Sequence, residues 1–131
     1  MKTLIVEDDF TSRLLLQEIL KSYGPSHIAV NGLEAVEAVR LALVAGENYY
    51  LICIDILMPE MGGQEALAEI RTLEKAKGIP HSSGAKVVMT TSADDLKNVS
   101  AAYYNLCDAY LTKPLQRAKL IEELRGLKLI S

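Results

Sequence analysis

Glu7, Asp8 and Asp9 stand in a row directly behind the apolar run Leu4-Ile5-Val6, and a fourth carboxylate, Asp55, closes a second apolar run that leads up to Ile54. Carboxylates a few ångströms apart repel and raise one another's pKa unless something cationic intervenes. A hard divalent cation is the natural counter-charge. Mg²⁺ takes oxygen ligands in octahedral geometry and keeps several waters, so two or three carboxylates and one backbone carbonyl suffice. On spacing alone, a solvated acidic loop accounts for the same residues. Thr90-Thr91-Ser92 and Lys113-Pro114 close two further runs and add hydroxyls and an ammonium. A lysine, a hydroxyl and a metal are the groups that stabilise charge on a transferring phosphoryl oxygen. An aspartate among them can act as nucleophile and form an acyl phosphate. Cys53 and Cys107 lie inside apolar stretches, form no metal-ligand spacing with His27 or His81, and read as two buried reduced thiols.

These residues can meet only if the runs that end in them lie side by side. Five runs have strand length and composition: Leu4 to Val6, His27 to Val30, Tyr50 to Ile54, Lys86 to Thr90, and Ala109 to Thr112. Between and after them apolar residues recur at helical spacing. Leu15, Ile19 and Tyr23 form one face, and Val36, Val39 and Leu43 the next. Leu67 and Ile70 form a third with either Leu73 or Glu74; Leu96, Val99 and Tyr103 a fourth; and Leu120, Ile121, Leu124 and Leu127 the last. Gly24-Pro25, Asn31-Gly32, Gly46-Glu47-Asn48, Met61-Gly62-Gly63 and Gly78-Ile79-Pro80 punctuate the series. A strand followed by a helix five times over predicts an α/β fold, a doubly wound parallel sheet with helices on both faces. Five-stranded sheets of this kind commonly run 2-1-3-4-5, with ligands beyond the carboxyl ends of the strands where the winding reverses. Glu7, Asp8, Asp9 and Asp55 stand at that point.

The 131 residues and 14.4 kDa fit one domain, residues 1-131, with no attached output domain expected. Fourteen basic and seventeen acidic side chains give a net charge of −3, too mild a balance to mark a nucleic-acid or membrane surface. The start meets acid after three apolar residues, so no signal-peptide core or spanning segment is expected, and the cytoplasm is the expected location.

Four segments in order resemble the receiver family of two-component signalling, typified by the chemotaxis regulator CheY. They are Leu4 to Asp9, Ile54 to Gly63, Val88 to Ser92 and Tyr110 to Pro114, and the resemblance covers essentially the whole chain. It implies a flavodoxin-like (βα)5 fold and a response regulator that is no enzyme beyond self-phosphotransfer and autodephosphorylation. By resemblance Asp55 is the phosphoacceptor. Glu7, Asp8, Asp55 and the Leu57 backbone carbonyl hold Mg²⁺ or Mn²⁺, with Asp9 peripheral. Thr91 and Lys113 bind the phosphoryl group, Thr91 and Tyr110 form the switch, and the Lys113–Pro114 bond is cis, the one bond class where cis costs little. The implied donor is a sensor histidine kinase or histidine phosphotransfer protein. The implied output is a downstream protein target bound on the fourth helix, fifth strand and fifth helix, by a monomer or a phosphorylation-dependent dimer.

Several positions depart from the family. Leu57, two residues past Asp55, and Ala93, two past Thr91, are apolar where relatives often orient an attacking water, which predicts a long-lived acyl phosphate. Asn105 stands where the family usually has glycine before the last strand, and the second helix and the Lys77 to Gly84 stretch look slightly long. An FMN-binding protein of the same topology would want hydroxyls and amides, not three carboxylates, after its first strand. A dehalogenase-type phosphatase would want a second aspartate where Leu57 stands. A receiver-like interaction module that is never phosphorylated is the remaining alternative.

Overall fold

The computed structural model describes residues 1–96 and 106–131, with the backbone alone at Ala93 and Leu96. Five strands, β1 (Thr3–Val6), β2 (Ser26–Ala29), β3 (Leu51–Asp55), β4 (Lys86–Thr91) and β5 (Ala109–Thr112), pair in parallel in the order β2-β1-β3-β4-β5. Helices α1 (Phe10–Leu20), α2 (Gly32–Val44), α3 (Gly63–Ala76), α4 (Ala93–Leu96) and α5 (Arg117–Gly126) alternate with them, and short 3₁₀ turns occupy Lys21–Tyr23 and His81–Ser83. This is the doubly wound parallel sheet, in the order 2-1-3-4-5, expected from the alternation of runs.

Period-two alternation sends successive strand side chains to opposite faces. Leu4, Val6, Ile52, Ile54, Val87 and Met89 pack against Ala35 and Val39 of α2 and Ala66, Leu67 and Ile70 of α3. On the other face Ile5, Leu51, Cys53, Val88 and Leu111 meet Leu16, Ile19 and Leu20 of α1 and Leu120 and Leu124 of α5. A strand covered on both sides has no polar face, which is why β1 and β3 are buried throughout.

Strand boundaries move by a residue or so: β2 is Ser26–Ala29, not His27 to Val30, and β3 runs on to Asp55 itself. In α1 the buried face is Leu16, Ile19 and Leu20, not the Leu15, Ile19 and Tyr23 spacing. Leu15 is exposed and Tyr23 falls in the following 3₁₀ turn. The helix starts at Phe10 because Asp9 caps it, accepting a hydrogen bond from the Ser12 N–H at 2.9 Å, and that start sets its rotation on the sheet. Cys53 is buried, its thiol pushed up to about 12 by desolvation, whereas Cys107 is only half-buried. Val99, Tyr103 and Asn105 lie outside the described residues.

The Leu73-or-Glu74 choice resolves toward the charged residue: Glu74 is 1% exposed, while Leu73 packs at the core margin. Arg71, one turn earlier, compensates the buried carboxylate. Its Nη1 donates to Glu74 Oε1 at 2.7 Å and to the Ala85 carbonyl at 2.8 Å, its Nε to the Leu106 carbonyl at 2.9 Å, and its Nη2 to Asp108 Oδ2 at 3.2 Å. Glu74 Oε2 also accepts the Ala85 N–H, and Asp108 Oδ2 the Val87 N–H. One guanidinium thus ties α3 to the entry of β4 and to the turn that leads into β5. Gly84 leaves room for the carboxylate, since a Cβ there would lie 2.4 Å from Glu74 Oε1.

Candidate functional site

Parallel pairing sets Val6 beside Ile54, so Glu7 and Asp55, the next residue along each chain, come level at the carboxyl edge of the sheet. One carboxylate oxygen from each of Glu7, Asp8 and Asp55 lies within 4.8 Å of the others. Glu7 is fully buried, Asp55 is 6% exposed and Asp8 is open to solvent. Asp9 stands apart, its carboxylate engaged as the α1 cap; hydrogen bonds from Ser12 hold its pKa below the usual carboxylate range.

Pairing of β4 with β3 places Thr90 beside Asp55, and pairing with β5 places Thr91 beside Thr112, one residue short of Lys113. Lys113 N–H donates to the Thr91 carbonyl at 2.7 Å, and the Lys113–Pro114 bond is cis. The Lys113 Nζ reaches 2.8 Å from Glu7 Oε1 and 3.2 Å from Asp55 Oδ2. Burial pushes the Glu7 carboxyl above its ordinary range; the Lys113 ammonium opposes that, and the neighbouring Asp55 adds to it. Burial works against the Lys113 ammonium, yet Glu7 and Asp55 together outweigh it and hold its pKa above the ordinary value. The Thr91 hydroxyl is buried with no hydrogen-bond partner among the described residues. An unmet buried hydroxyl costs free energy, so it marks a position where a polar group is wanted.

Residues 3–125 match the family model described as the response regulator receiver domain. The chain belongs to the response-regulator receiver family. This receiver is 31% identical over 132 aligned positions to the sensory/regulatory protein RpfC of Xanthomonas campestris, an alignment covering 97% of this chain and 16% of RpfC. It is 31% identical to the chemotaxis protein CheY of Halobacterium salinarum, covering 92% of this chain and 91% of that one. Among solved structures it resembles the co-crystal of the Saccharomyces cerevisiae phosphotransfer protein Ypd1 with the receiver domain of Ssk1, at a TM-score of 0.78 and 29% identity over 97% of this chain and 88% of that one. The chain therefore spans a small part of RpfC and nearly all of the CheY relative.

The loop after β3 of the receiver is shaped by close backbone approach. Leu57 N–H donates to Asp55 Oδ1 at 3.3 Å while its side chain is 60% exposed, and Glu60 takes a positive φ of 67°. Gly63 N–H donates to the Ile56 carbonyl, and a Cβ at Gly63 would lie 2.2 Å from the Asp55 carbonyl oxygen, so only glycine lets α3 begin beneath that carbonyl. Tyr110 of β5 is half-buried at the margin of the α2 and α3 core and hydrogen-bonds the Cys107 thiol. No described helix is long and apolar enough to cross a membrane. Hydrophobic spacing offered Glu74 as an inner-face residue of α3 but gave no sign of Arg71 and Asp108, the partners that complete its network.

Proposed function

We propose that this receiver accepts a phosphoryl group on Asp55 in a metal-dependent reaction and passes the signal to a protein partner by a change of conformation. The observation that carries this reading is the convergence of the Glu7, Asp8 and Asp55 carboxylates with the Lys113 ammonium, beside a buried Thr91 hydroxyl that has no partner among the described residues. Three clustered carboxylates form a hard-oxygen donor set suited to Mg²⁺ or Mn²⁺. Glu7, Asp8, Asp55 and the Leu57 carbonyl would hold the ion. A bound divalent cation supplies charge neutralisation at the transferring phosphoryl group.

The remaining work belongs to the chain. An Asp55 carboxylate oxygen attacks phosphorus of a phosphohistidine; the O–P bond forms as the N–P bond breaks, and the imidazole nitrogen keeps the electron pair and is protonated from solvent. Lys113 moves from its carboxylate pairing toward the phosphoryl oxygens, and the Thr91 hydroxyl donates to another. That new bond to Thr91 is what differs between the two states, and Tyr110 on the neighbouring strand responds to it. The donor is a sensor histidine kinase or histidine phosphotransfer protein, the class that Ypd1 represents for the Ssk1 receiver. The output is a protein bound at α4, β5 and α5. The chain works in the cytoplasm and as a switch with no enzymatic activity on other substrates.

Incubation with Mg²⁺ and acetyl phosphate is expected to add one phosphoryl group by intact mass, a gain lost with EDTA and in Asp55→Asn. A folded protein that gains nothing, from acetyl phosphate or from a histidine donor, would leave an interaction module that is never phosphorylated. The lifetime of the product depends on what can aim water at phosphorus. Leu57 is exposed and apolar, so Leu57→Asn is expected to speed loss of the phosphoryl group by about tenfold, less than the roughly 10²–10⁴-fold of a positioned general base because an amide orients water without taking its proton. Wild-type decay within seconds, followed by radiolabel, would refute the slow hydrolysis expected of this chain.

A further inference from the structure

Beside the amino ends of β4 and β5, at the edge of the sheet remote from Asp55, lies a cleft of about 490 Å³. That is the size of a small-molecule site. Ile79, Pro80 and Leu106 give it apolar walls, and Arg71, Lys75 and His81 supply its polar groups. Among the described residues that line it, the one acid is Glu74. That carboxylate is 1% exposed and already accepts from Arg71 Nη1, the Ala85 N–H and Asn48 Nδ2, so it offers a ligand nothing. Asp108 stands behind the lining, its Oδ2 taken by Arg71 and the Val87 N–H and its Oδ1 3.8 Å from His81 Nε2. Lys75 is exposed and has no ion pair among the described residues, so the wall presents positive charge. Arg71 uses four of its five N–H groups on Leu106, Glu74, Ala85 and Asp108, and the second N–H of Nη2 has no acceptor among the described residues. A guanidinium only 9% exposed with a donor unused is a place where an acceptor is wanted.

We propose that this cleft binds a small apolar monocarboxylate. The carboxylate accepts the remaining Arg71 N–H and pairs with Lys75, while the hydrocarbon part lies on Ile79, Pro80 and Leu106. Charge-assisted hydrogen bonds to a guanidinium and an ammonium favour an anion over its neutral isostere. The apolar walls favour a hydrocarbon chain or ring over a compact, strongly hydrated anion such as phosphate. Arg71 joins α3 to the entry of β4 and to the turn into β5, so a ligand that engages it bears on those three elements together and stabilises the folded chain by linkage. The site lies away from the carboxylate cluster and stands or falls independently of the phosphotransfer reading.

The test titrates the whole chain with hexanoate, with acetate and hexanamide as controls, and follows backbone amide and His81 ring resonances by NMR. Hexanoate is expected to give saturable shifts centred on Ile79, His81 and Leu106 and to raise the melting temperature. Acetate lacks the hydrocarbon and hexanamide lacks the charge, so each is expected to bind about tenfold more weakly or worse. Arg71→Met strands a buried carboxylate, so the variant of choice is Lys75→Glu, a change at an exposed position that leaves the core network in place. It is expected to keep the wild-type fold by circular dichroism and to weaken hexanoate binding about fivefold or more, since attraction becomes repulsion. Hexanamide binding as tightly as hexanoate would overturn the carboxylate assignment, as would unchanged affinity in Lys75→Glu. Shifts centred on Asp55 and Lys113 would place the ligand elsewhere and overturn the site. So would the absence of saturable binding up to about 10 mM hexanoate.

Discussion

Lys113→Met is expected to slow phosphorylation of Asp55 by about 10²–10³-fold, the usual consequence of removing one preorganised stabiliser of developing charge. The ammonium already lies 2.8 Å from Glu7 and 3.2 Å from Asp55, so it needs only a small shift to meet a phosphoryl oxygen attached to Asp55. Its removal has a second effect that separates its two duties. Glu7 is fully buried beside Asp55, and without the ammonium the two carboxylates face each other uncompensated. A bound divalent cation supplies the missing positive charge. Mg²⁺ is therefore expected to raise the melting temperature of Lys113→Met more than that of wild type, even though the variant is phosphorylated slowly. Calorimetry with and without Mg²⁺, alongside the rate from acetyl phosphate, reads both quantities. A variant labelled at the wild-type rate would remove Lys113 from the chemistry, and equal Mg²⁺ shifts would remove it from charge compensation.

Arg71→Met is expected to cost about 3–5 kcal/mol of unfolding free energy, because breaking a buried ion pair from one side strands the other charge. Arg71 and Glu74 have side-chain exposures of 8% and 1%, and the guanidinium also serves two backbone carbonyls and Asp108. Against a typical domain stability of about 5–15 kcal/mol this is a large fraction. Glu74 keeps its bonds from the Ala85 N–H and Asn48 Nδ2, so the loss falls toward the lower end of the range. Adding Glu74→Gln to Arg71→Met removes the stranded charge and is expected to restore part of the stability. Urea denaturation of the single and double variants measures the coupling. A single variant within about 1 kcal/mol of wild type would mean that water already solvates this carboxylate.

The same network shows where sequence reasoning stops. Glu74 fell on the inner face of α3 by spacing, and the choice between it and Leu73 could not be made from the pattern, since a buried carboxylate is tolerable only with a partner in place. That partner set is assembled from α3, from Ala85 before β4, and from Leu106 and Asp108 before β5. No local window contains it. The rotation of α1 is a similar case. Leu15 and Leu16 are equally apolar, and the Asp9 cap together with packing on Ile5 and Leu120 decides that Leu16 turns inward. That outcome leaves Phe10, Leu14 and Leu15 exposed on a face that spacing alone had partly assigned to the core.

What the sequence by itself determined was the alternation of five strands with helices, and with it the sheet order and the meeting of the β1 and β3 ends. Periodicity and turn chemistry are local, and the handedness of crossovers leaves few windings for such a chain. Four spaced segments were likewise enough to name the receiver family and to nominate Asp55, Glu7, Asp8, Thr91 and Lys113. Only the tertiary structure decided that Lys113 bridges Glu7 and Asp55, that the Thr91 hydroxyl has no partner among the described residues, and that Arg71 anchors three elements at once. Those facts depend on distances between residues far apart in the chain, and a distance across a fold is set by the packing of every element between them.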